Sequence, residues 1–176
     1  MRYVMILLVL LLAVSIFAED KKETSKVLSQ EKTVSKVDKV SKVKEKSWSK
    51  KAPATMDWFA AKEYCANLNE DGSSDWELPT ISELRTLIID CPASESGGAC
   101  LITNDCLSNK CWTKDTCWAC SGASDGRYSK LGDTDWFWSS SPNVDNAVFV
   151  WLVNFFNGSV NGNLKANTSN VRCVKN

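Results

Sequence analysis

Six of the eight cysteines lie in a single stretch that runs from Cys91 to Cys120. From residue 91 to residue 135 the sequence is also rich in glycine and serine, and its apolar residues follow no sustained period. Such a segment has little apolar patterning from which to build a core, so its order must come mainly from cross-links between cysteines. The sequence therefore predicts a long loop region that is stapled by disulfide bonds.

The first residues are typical of a secretory signal peptide. A run without charged residues, apolar except for Ser15, extends from Tyr3 to Ala18 and is followed by the charged pair Glu19-Asp20. This run is shorter than the stretch of about 18 or more residues that spans a membrane. We expect residues 1–18 to be a signal peptide and the mature chain to have no transmembrane span. Export, whether to the periplasm, the cell surface or the medium, places the cysteines where disulfide bonds persist.

Histidine is absent from the sequence. Its absence removes the usual general base, the Ser-His-Asp and Cys-His arrangements and most catalytic zinc sites. The run Ser139-Ser140-Ser141 therefore has no histidine to activate it as a nucleophile. We expect a protein that is not an enzyme and that uses no cofactor.

The formal net charge of zero conceals two oppositely charged parts. Residues 19–51 hold eleven lysines and six acidic residues, whereas residues 52–176 hold nine basic and fifteen acidic residues. Valines in the lysine-rich part recur every three residues, which does not sustain a coiled coil. We expect residues 19–53 to be a disordered spacer that contributes little to stability. The alternative is a basic arm that touches anionic polymers. Nucleic-acid binding is not expected, because Trp48 is the only aromatic residue among the lysines.

Two helices are predicted early in the remaining part of the chain. Asp57 is placed to cap the first helix, and Thr80 and Glu83 match a capping box at the start of the second. Apolar residues recur at helical spacing in both: Trp58, Ala61, Cys65 and Leu68 in the first, and Leu84, Leu87 and Ile88 in the second.

Strands are predicted towards the C-terminus, in the stretches WFWSSS, NAVFVWLVNFFNGSV and NVRCVK. Asn157-Gly158 is a strong signal for a hairpin turn between two of them. Two helices followed by strands favour an α+β domain with a small twisted antiparallel sheet. We place this domain at residues 54–176.

Four motifs occur together in this domain: MDW with YC six residues on, DWELPTISEL, WFWSSS and VRCVK. In this order they resemble the Lcl C-terminal domain family, the receptor-binding end of bacterial collagen-like adhesins, over about residues 54–175. The resemblance implies a C-type-lectin-like fold, and the Leu-Pro-Thr segment is also similar to that of formylglycine-generating enzymes. No Gly-X-Y collagen stalk precedes the domain, so a trimer is not implied.

The resemblance implies an exported, non-enzymatic adhesin-like module that binds a glycan, a surface polymer or a protein. One alternative is a secreted enzyme, or an accessory to one, related to formylglycine-generating enzymes. The other is a purely structural envelope protein. The Glu-Pro-Asn and Trp-Asn-Asp motifs of calcium-dependent lectins are absent from the sequence.

The resemblance also implies a disulfide bond between Cys65 and Cys173. In the chain-entropy model a link that closes so long a loop stabilises the fold by about 4 to 5 kcal/mol. The other six cysteines can pair in fifteen ways. Our hypothesis is Cys91 with Cys100, Cys106 with Cys111, and Cys117 with Cys120. Cys117 and Cys120 have redox-motif spacing, and with Cys111 they supply three zinc ligands, but export favours structural disulfides and no metal is expected.

Ligand binding is expected on the stapled loop region, because recognition commonly lies on loops that a rigid scaffold presents. Six residues there supply ring faces and charges for a small polar ligand: Trp112, Lys114, Asp115, Trp118, Arg127 and Tyr128. The alternative is that the tryptophans pack against the loop's own sulfur atoms. If the tryptophans are not needed for binding, we expect the site on the strand connections at residues 143–146 and 161–170.

Overall fold

The computed structural model describes residues 46–120 and 128–175. These residues form short helices and small antiparallel sheets, which confirms the predicted α+β class. The predicted signal peptide and the spacer up to residue 45 lie outside the described residues. In chain order the elements are strand β1 Ser47–Trp48, helix α1 Trp58–Asn67, helix α2 Ile81–Arg85, a 3-10 turn Asn109–Cys111, helix α3 Lys114–Cys117, and strands β2 Trp136–Pro142, β3 Phe149–Asn154, β4 Ser159–Leu164 and β5 Val174–Lys175.

Both predicted helices begin at the residues whose side chains cap them. Asp57 accepts a hydrogen bond from the N–H of Ala60 at 2.9 Å. At α2 the capping box is complete: Thr80 Oγ1 accepts from the Glu83 N–H, and the Glu83 carboxylate accepts from the Thr80 N–H at 2.8 Å. These bonds satisfy backbone donors that the first turn of a helix leaves without an internal partner.

Strands β2, β3 and β4 form an antiparallel sheet with β3 in the centre. The predicted turn at Asn157-Gly158 joins β3 to β4, and Gly158 has a φ of 65°, in the left-handed region that favours glycine. A Cβ atom at Gly158 would lie 2.9 Å from the Cβ of Cys91. The hairpin turn therefore packs directly on the stapled loop region.

Both faces of this sheet are buried, and each has its own apolar core. Successive side chains in a strand point to opposite faces. Trp151 and Val153 accordingly pack in the first core, with α2 and the loop region, whereas Val150 and Leu152 pack in the second core, with α1. The loop region contributes Cys91, Cys100, Ile102, Cys117 and Tyr128 to the first core. It is therefore ordered by burial as well as by its cross-links.

The packed domain begins before the predicted boundary at residue 54. Strand β1 pairs with β5, and the backbone N–H of Ser49 donates a 2.9 Å hydrogen bond to the Cys173 carbonyl. Ser49 Oγ also accepts from the Cys173 N–H, and the Ser49 carbonyl accepts from the Arg172 guanidinium at 2.7 Å. The residues from 46 to 53, which the sequence analysis assigns to the spacer, therefore belong to the fold.

All eight cysteines form disulfide bonds. The structure confirms Cys65–Cys173 and Cys106–Cys111. The other two predicted pairs are wrong, because Cys91 bonds to Cys120 and Cys100 bonds to Cys117. Cys117 lies on the buried side of α3 and meets Cys100 in the first core, while Cys120, beyond the end of that helix, meets Cys91. Burial in the core thus overrides pairing between neighbours in sequence.

Arg85, the last residue of α2, is buried with only 1% of its surface exposed. Its guanidinium donates to three backbone carbonyls of the loop region: Ser94 at 2.8 Å, Ile102 at 2.6 Å and Glu95 at 2.7 Å. In the described part of the chain no carboxylate pairs with it. Burial lowers the pKa of Arg85, but a guanidinium stays charged at neutral pH. The loop carbonyls therefore compensate a buried charge.

The N-terminal boundary can be tested with two truncated chains. A chain that starts at residue 46 should melt at the same temperature as one that starts at residue 19. A chain that starts at residue 54 should lose about 2 kcal/mol or more of unfolding free energy, because each hydrogen bond lost contributes about 1 kcal/mol. Chemical denaturation of the three chains measures the difference. Equal stability of all three would show that β1 adds nothing to the fold.

The role of Arg85 can be tested with Arg85→Met, which keeps an apolar stem and removes the three donors. We expect a loss of about 3 kcal/mol or more of unfolding free energy, because three buried carbonyls lose their partner. Lys130→Met, at an exposed cation, is the matched control and should change stability little. A loss below about 1 kcal/mol for Arg85→Met would mean that water replaces the guanidinium without consequence.

Candidate ligand-binding groove

The structure describes five of the six predicted ligand-binding residues and places them in different environments. Tyr128 is only 6% exposed and belongs to the first core. Lys114 and Asp115 are exposed on α3, and Trp118 is half-buried just after it. Arg127 lies outside the described residues. Trp112 lines a groove together with residues from the strand connections.

This groove has a volume of about 370 Å³. It lies between the short loop closed by Cys106–Cys111, the connection between β2 and β3, and the edge strand β4. We call it the asparagine–aromatic groove, because its lining consists of four asparagines, three aromatic residues and one glycine: Asn109, Asn143, Asn146, Asn161, Phe149, Trp112, Trp151 and Gly162. It thus combines Trp112 with the two strand connections that the sequence analysis named as the alternative site.

The loop closed by Cys106–Cys111 is fixed to the β2–β3 connection by Asp145. The carboxylate of Asp145 accepts a hydrogen bond from Ser108 Oγ at 2.7 Å and another from the Asn109 N–H at 2.5 Å. The carbonyl of Leu107 accepts from the Val144 N–H at 3.1 Å. One wall of the groove is therefore held in place by polar contacts as well as by a disulfide bond.

These contacts also set the charge state of Asp145. The hydrogen bond from Ser108, then that from Asn109, and the nearby charge of Lys110 lower the pKa of Asp145 below its ordinary value of 3.8. A carboxyl group whose pKa is lowered in the fold stabilises it above the ordinary pKa and loses that effect as the pH falls through the lowered value. The contact is therefore intact at neutral pH.

The aromatic residues of the groove are held by their own polar atoms. The indole N–H of Trp112 donates to the Val160 carbonyl at 2.8 Å, and that of Trp151 donates to the Leu107 carbonyl at 2.9 Å. Both indole nitrogens are thus occupied within the protein, and only carbon atoms of these rings are left for a ligand. At Gly162 an added Cβ would lie 3.8 Å from the Phe149 ring and 3.9 Å from the Trp151 ring. The missing side chain therefore leaves the half-buried Phe149 ring accessible above the floor that Trp151, 2% exposed, forms.

The asparagines of the groove are connected to one another and to the backbone. Asn143 is only 5% exposed, and its Oδ1 accepts from the Asp145 N–H at 2.9 Å. Its Nδ2 donates to Asn109 Oδ1 at 2.7 Å. Asn146 and Asn161 accept from the backbone N–H groups of Val148 and Gly162. The polar lining is therefore an ordered set of amides.

Within residues 46–120 and 128–175, no three or more Cys, Asp or Glu side chains are grouped so that they could hold a metal ion. In the same ranges no helix has the length and apolar character to cross a bilayer.

These features define a small α+β domain with four disulfides and an uncharged groove where loops meet the edge of a sheet. The family model of the Lcl C-terminal domain matches residues 38–175. The chain belongs to the Lcl C-terminal domain family, which confirms the resemblance in its sequence motifs. The match begins before residue 46, in agreement with the place of β1 in the fold. No curated protein matches the chain in sequence.

Sequence analysis missed part of the groove. The sequence identifies Phe149 and Trp151 only as residues of a predicted strand, and no motif identifies Asn109. Asparagine is frequent at residues 143–146 and 161–170, on both sides of β3. Since asparagine side chains commonly bond to nearby backbone groups in turns, this composition indicated ordered polar turns at both places. What the sequence did not show is that Trp112 lies beside those turns.

The contact of Asp145 with the disulfide-closed loop can be tested by hydrogen exchange at neutral pH. In Asp145→Ala the Asn109 amide should exchange faster, because its acceptor is gone. Asp145→Asn should give an intermediate rate, since an amide oxygen still accepts. Asp75→Ala, at an exposed carboxylate, is the control and should leave the loop unchanged. Unchanged exchange in Asp145→Ala would show that the disulfide alone holds the loop.

Proposed function

We propose that this protein is an exported, non-enzymatic, adhesin-like module that binds a neutral glycan in the asparagine–aromatic groove. The observation that carries the proposal is the composition of the groove: its lining has four asparagines and three aromatic residues, and no charged side chain among the described residues. Membership of the Lcl C-terminal domain family supports an adhesin-like role.

The groove has the surfaces that a sugar needs. A sugar ring presents apolar C–H groups on its faces and hydroxyl groups at its edge, so it requires flat apolar contacts together with hydrogen-bonding groups. The rings of Trp112 and Phe149 supply the first, and the amides of Asn109, Asn146 and Asn161 supply the second. The volume of about 370 Å³ lies within the usual range for small-molecule sites, about 300–1,000 Å³.

The same composition argues against catalysis in the groove. General acid–base catalysis needs a titratable side chain within hydrogen-bond reach of the reacting group. Of the described residues that line the groove, none is titratable. The carboxylate of Asp145, in the adjoining loop, is already engaged by Ser108 and Asn109. A binding role therefore accounts for these residues better than an enzymatic one.

Charge favours a neutral ligand over a sulfated or carboxylated polymer. Residues 46–176, which include β1, hold twelve basic and fifteen acidic residues, so the domain repels anionic polymers at long range. In the described lining of the groove there is no lysine or arginine to compensate for an anion. Residues 19–45 hold eight lysines and six acidic residues, and these lysines would supply a separate contact with anionic surfaces.

Export is supported by the disulfides. Four disulfide bonds in a small domain are typical of proteins that fold in an oxidising compartment. The apolar run from Tyr3 to Ala18 supplies a signal that would deliver the chain there. Periplasm, cell surface and medium are all consistent with this proposal.

The proposal can be tested with a glycan array followed by titration of the variants Gly162→Ala and Gly162→Val. Gly162 has no positive φ, and its Cβ would make only ordinary contacts with Phe149 and Trp151. The fold should therefore tolerate both variants, while the added methyl groups cover the rings. We expect neutral glycans to bind the parent, with a loss of about threefold for alanine and about tenfold or more for valine, the latter equal to about 1.4 kcal/mol.

Ser74→Val adds similar bulk at an exposed position that does not line the groove, and it should bind like the parent. Thermal melting of each variant separates loss of binding from loss of fold. Undiminished binding by a folded Gly162→Val protein would place the site elsewhere. An array with no neutral-glycan hit would remove the proposal.

A further inference from the structure

We propose that the asparagine–aromatic groove selects N-acetylated sugars, because its outward-facing amide groups are hydrogen-bond donors and its rings offer apolar contacts for an acetamido methyl. The inference rests on the glycan-binding function proposed above. It concerns which glycans bind, and it is carried by the orientation of the amide side chains.

The backbone determines which way Asn161 and Asn146 face. A backbone N–H can only donate, so the atom opposite it must be the amide oxygen. Asn161 Oδ1 accepts from the Gly162 N–H at 2.8 Å, and Asn146 Oδ1 accepts from the Val148 N–H at 3.3 Å. Each side chain therefore directs its NH₂ group away from that backbone contact.

The orientation of Asn109 follows from a second backbone contact. The Asp145 N–H fixes the oxygen of Asn143, so that the Asn143 NH₂ group faces Asn109. Asn109 must meet this donor with its oxygen, which leaves its own NH₂ group unused. Among residues 46–120 and 128–175, Nδ2 of Asn109, Asn146 and Asn161 donates no hydrogen bond, whereas each matching oxygen already accepts one. The three NH₂ groups are thus unused donors, and each oxygen retains only its second lone pair.

A groove that offers donors distinguishes between a hydroxyl and a carbonyl. A hydroxyl can accept from one of these amides, but its own hydrogen then needs an acceptor, and each amide oxygen of the groove has only its second lone pair left for that purpose. Leaving a buried donor without a partner costs about 1 to 3 kcal/mol. A carbonyl oxygen accepts from two donors and has no hydrogen to satisfy. The acetamido group provides such a carbonyl, together with a methyl group for the rings of Trp112 and Phe149.

Carboxylate or sulfate oxygens are also pure acceptors, and charge separates them from the acetamido group. The described lining of the groove has no cation, and the carboxylate of Asp145 lies in the adjoining loop. An anion would lose its hydration there without an opposite charge to compensate. The acetamido carbonyl is neutral and avoids this cost.

The test compares matched sugars by titration calorimetry with the chain as it exists. Oligomers of β-1,4-linked N-acetylglucosamine and of β-1,4-linked glucose differ only in the acetamido or hydroxyl group at C2, and N-acetylgalactosamine and galactose form a second matched pair. We expect the acetylated member of at least one pair to bind about tenfold more tightly. Equal binding within both pairs would refute selectivity for the acetamido group without contradicting the proposed glycan binding. Binding of none of these sugars would overturn the inference, while the array still decides the proposed function.

A series of oligogalacturonates tests whether the amide donors bind a carboxylate instead of an acetamido carbonyl. Tighter binding of these uronates than of either acetylated sugar would assign the donors to a carboxylate and overturn the inference.

The variants Asn161→Asp and Asn146→Asp test the donors directly. Aspartate keeps an oxygen for the Gly162 or Val148 N–H and replaces the outward NH₂ group by a second oxygen, so the fold is preserved while donor becomes acceptor. We expect each variant to lose about tenfold or more in affinity for the acetylated sugar. The control Asn69→Asp, at an exposed asparagine outside the groove, should bind like the parent. Parent-like affinity of both folded groove variants would show that the amide donors do not contact the ligand.

Discussion

The buried guanidinium of Arg85 connects helix α2 to the disulfide-stapled loop region. Arg85 is the last residue of α2, and its guanidinium donates to the carbonyls of Ser94, Glu95 and Ile102. A buried cation is tolerated only when its donors are all satisfied, so these carbonyls must stay where they are. Cys100 lies between Glu95 and Ile102, and Cys91 precedes Ser94; their disulfide partners, Cys117 and Cys120, follow Trp112 in the sequence. Arg85 and these two disulfides thus hold the segments on either side of the loop that carries Asn109.

The opposite wall of the groove depends on the sheet. Strand β3 is buried on both faces, so its register cannot slip by one residue without moving apolar side chains from one core to the other. Trp151 is thereby fixed as the floor, and β4, paired with it residue by residue, fixes Asn161 and Gly162 at the edge. A site whose walls are held this firmly loses little conformational entropy when a ligand binds.

Local features of this fold could be read from the sequence, whereas features that depend on tertiary contacts could not. The capping box at Thr80–Glu83 and the turn at Asn157-Gly158 were predicted correctly, because each is determined within a few residues. The pairing of Cys91 with Cys120 was not predicted, because it follows from the burial of Cys117 against Cys100. For the same reason the sequence placed Trp112 and the asparagine-rich connections in two alternative sites, although they line one groove.

In the groove, neutral asparagine side chains are held so that a defined hydrogen-bonding group, the NH₂ donor, points away from the backbone. An isolated asparagine offers a donor and an acceptor with equal ease, because its amide can turn over. Here the oxygens of Asn146 and Asn161 each accept from a backbone N–H, which can only donate. The oxygen of Asn109 accepts from Asn143, whose own orientation is fixed by a backbone N–H. Reversing one amide would place two donors in contact and leave the N–H without an acceptor, at a cost of about 1 to 3 kcal/mol. The direction of the hydrogen bonds offered to a ligand is therefore a property of the backbone, and it persists as long as the connection between β2 and β3 and the edge of β4 keep their conformation.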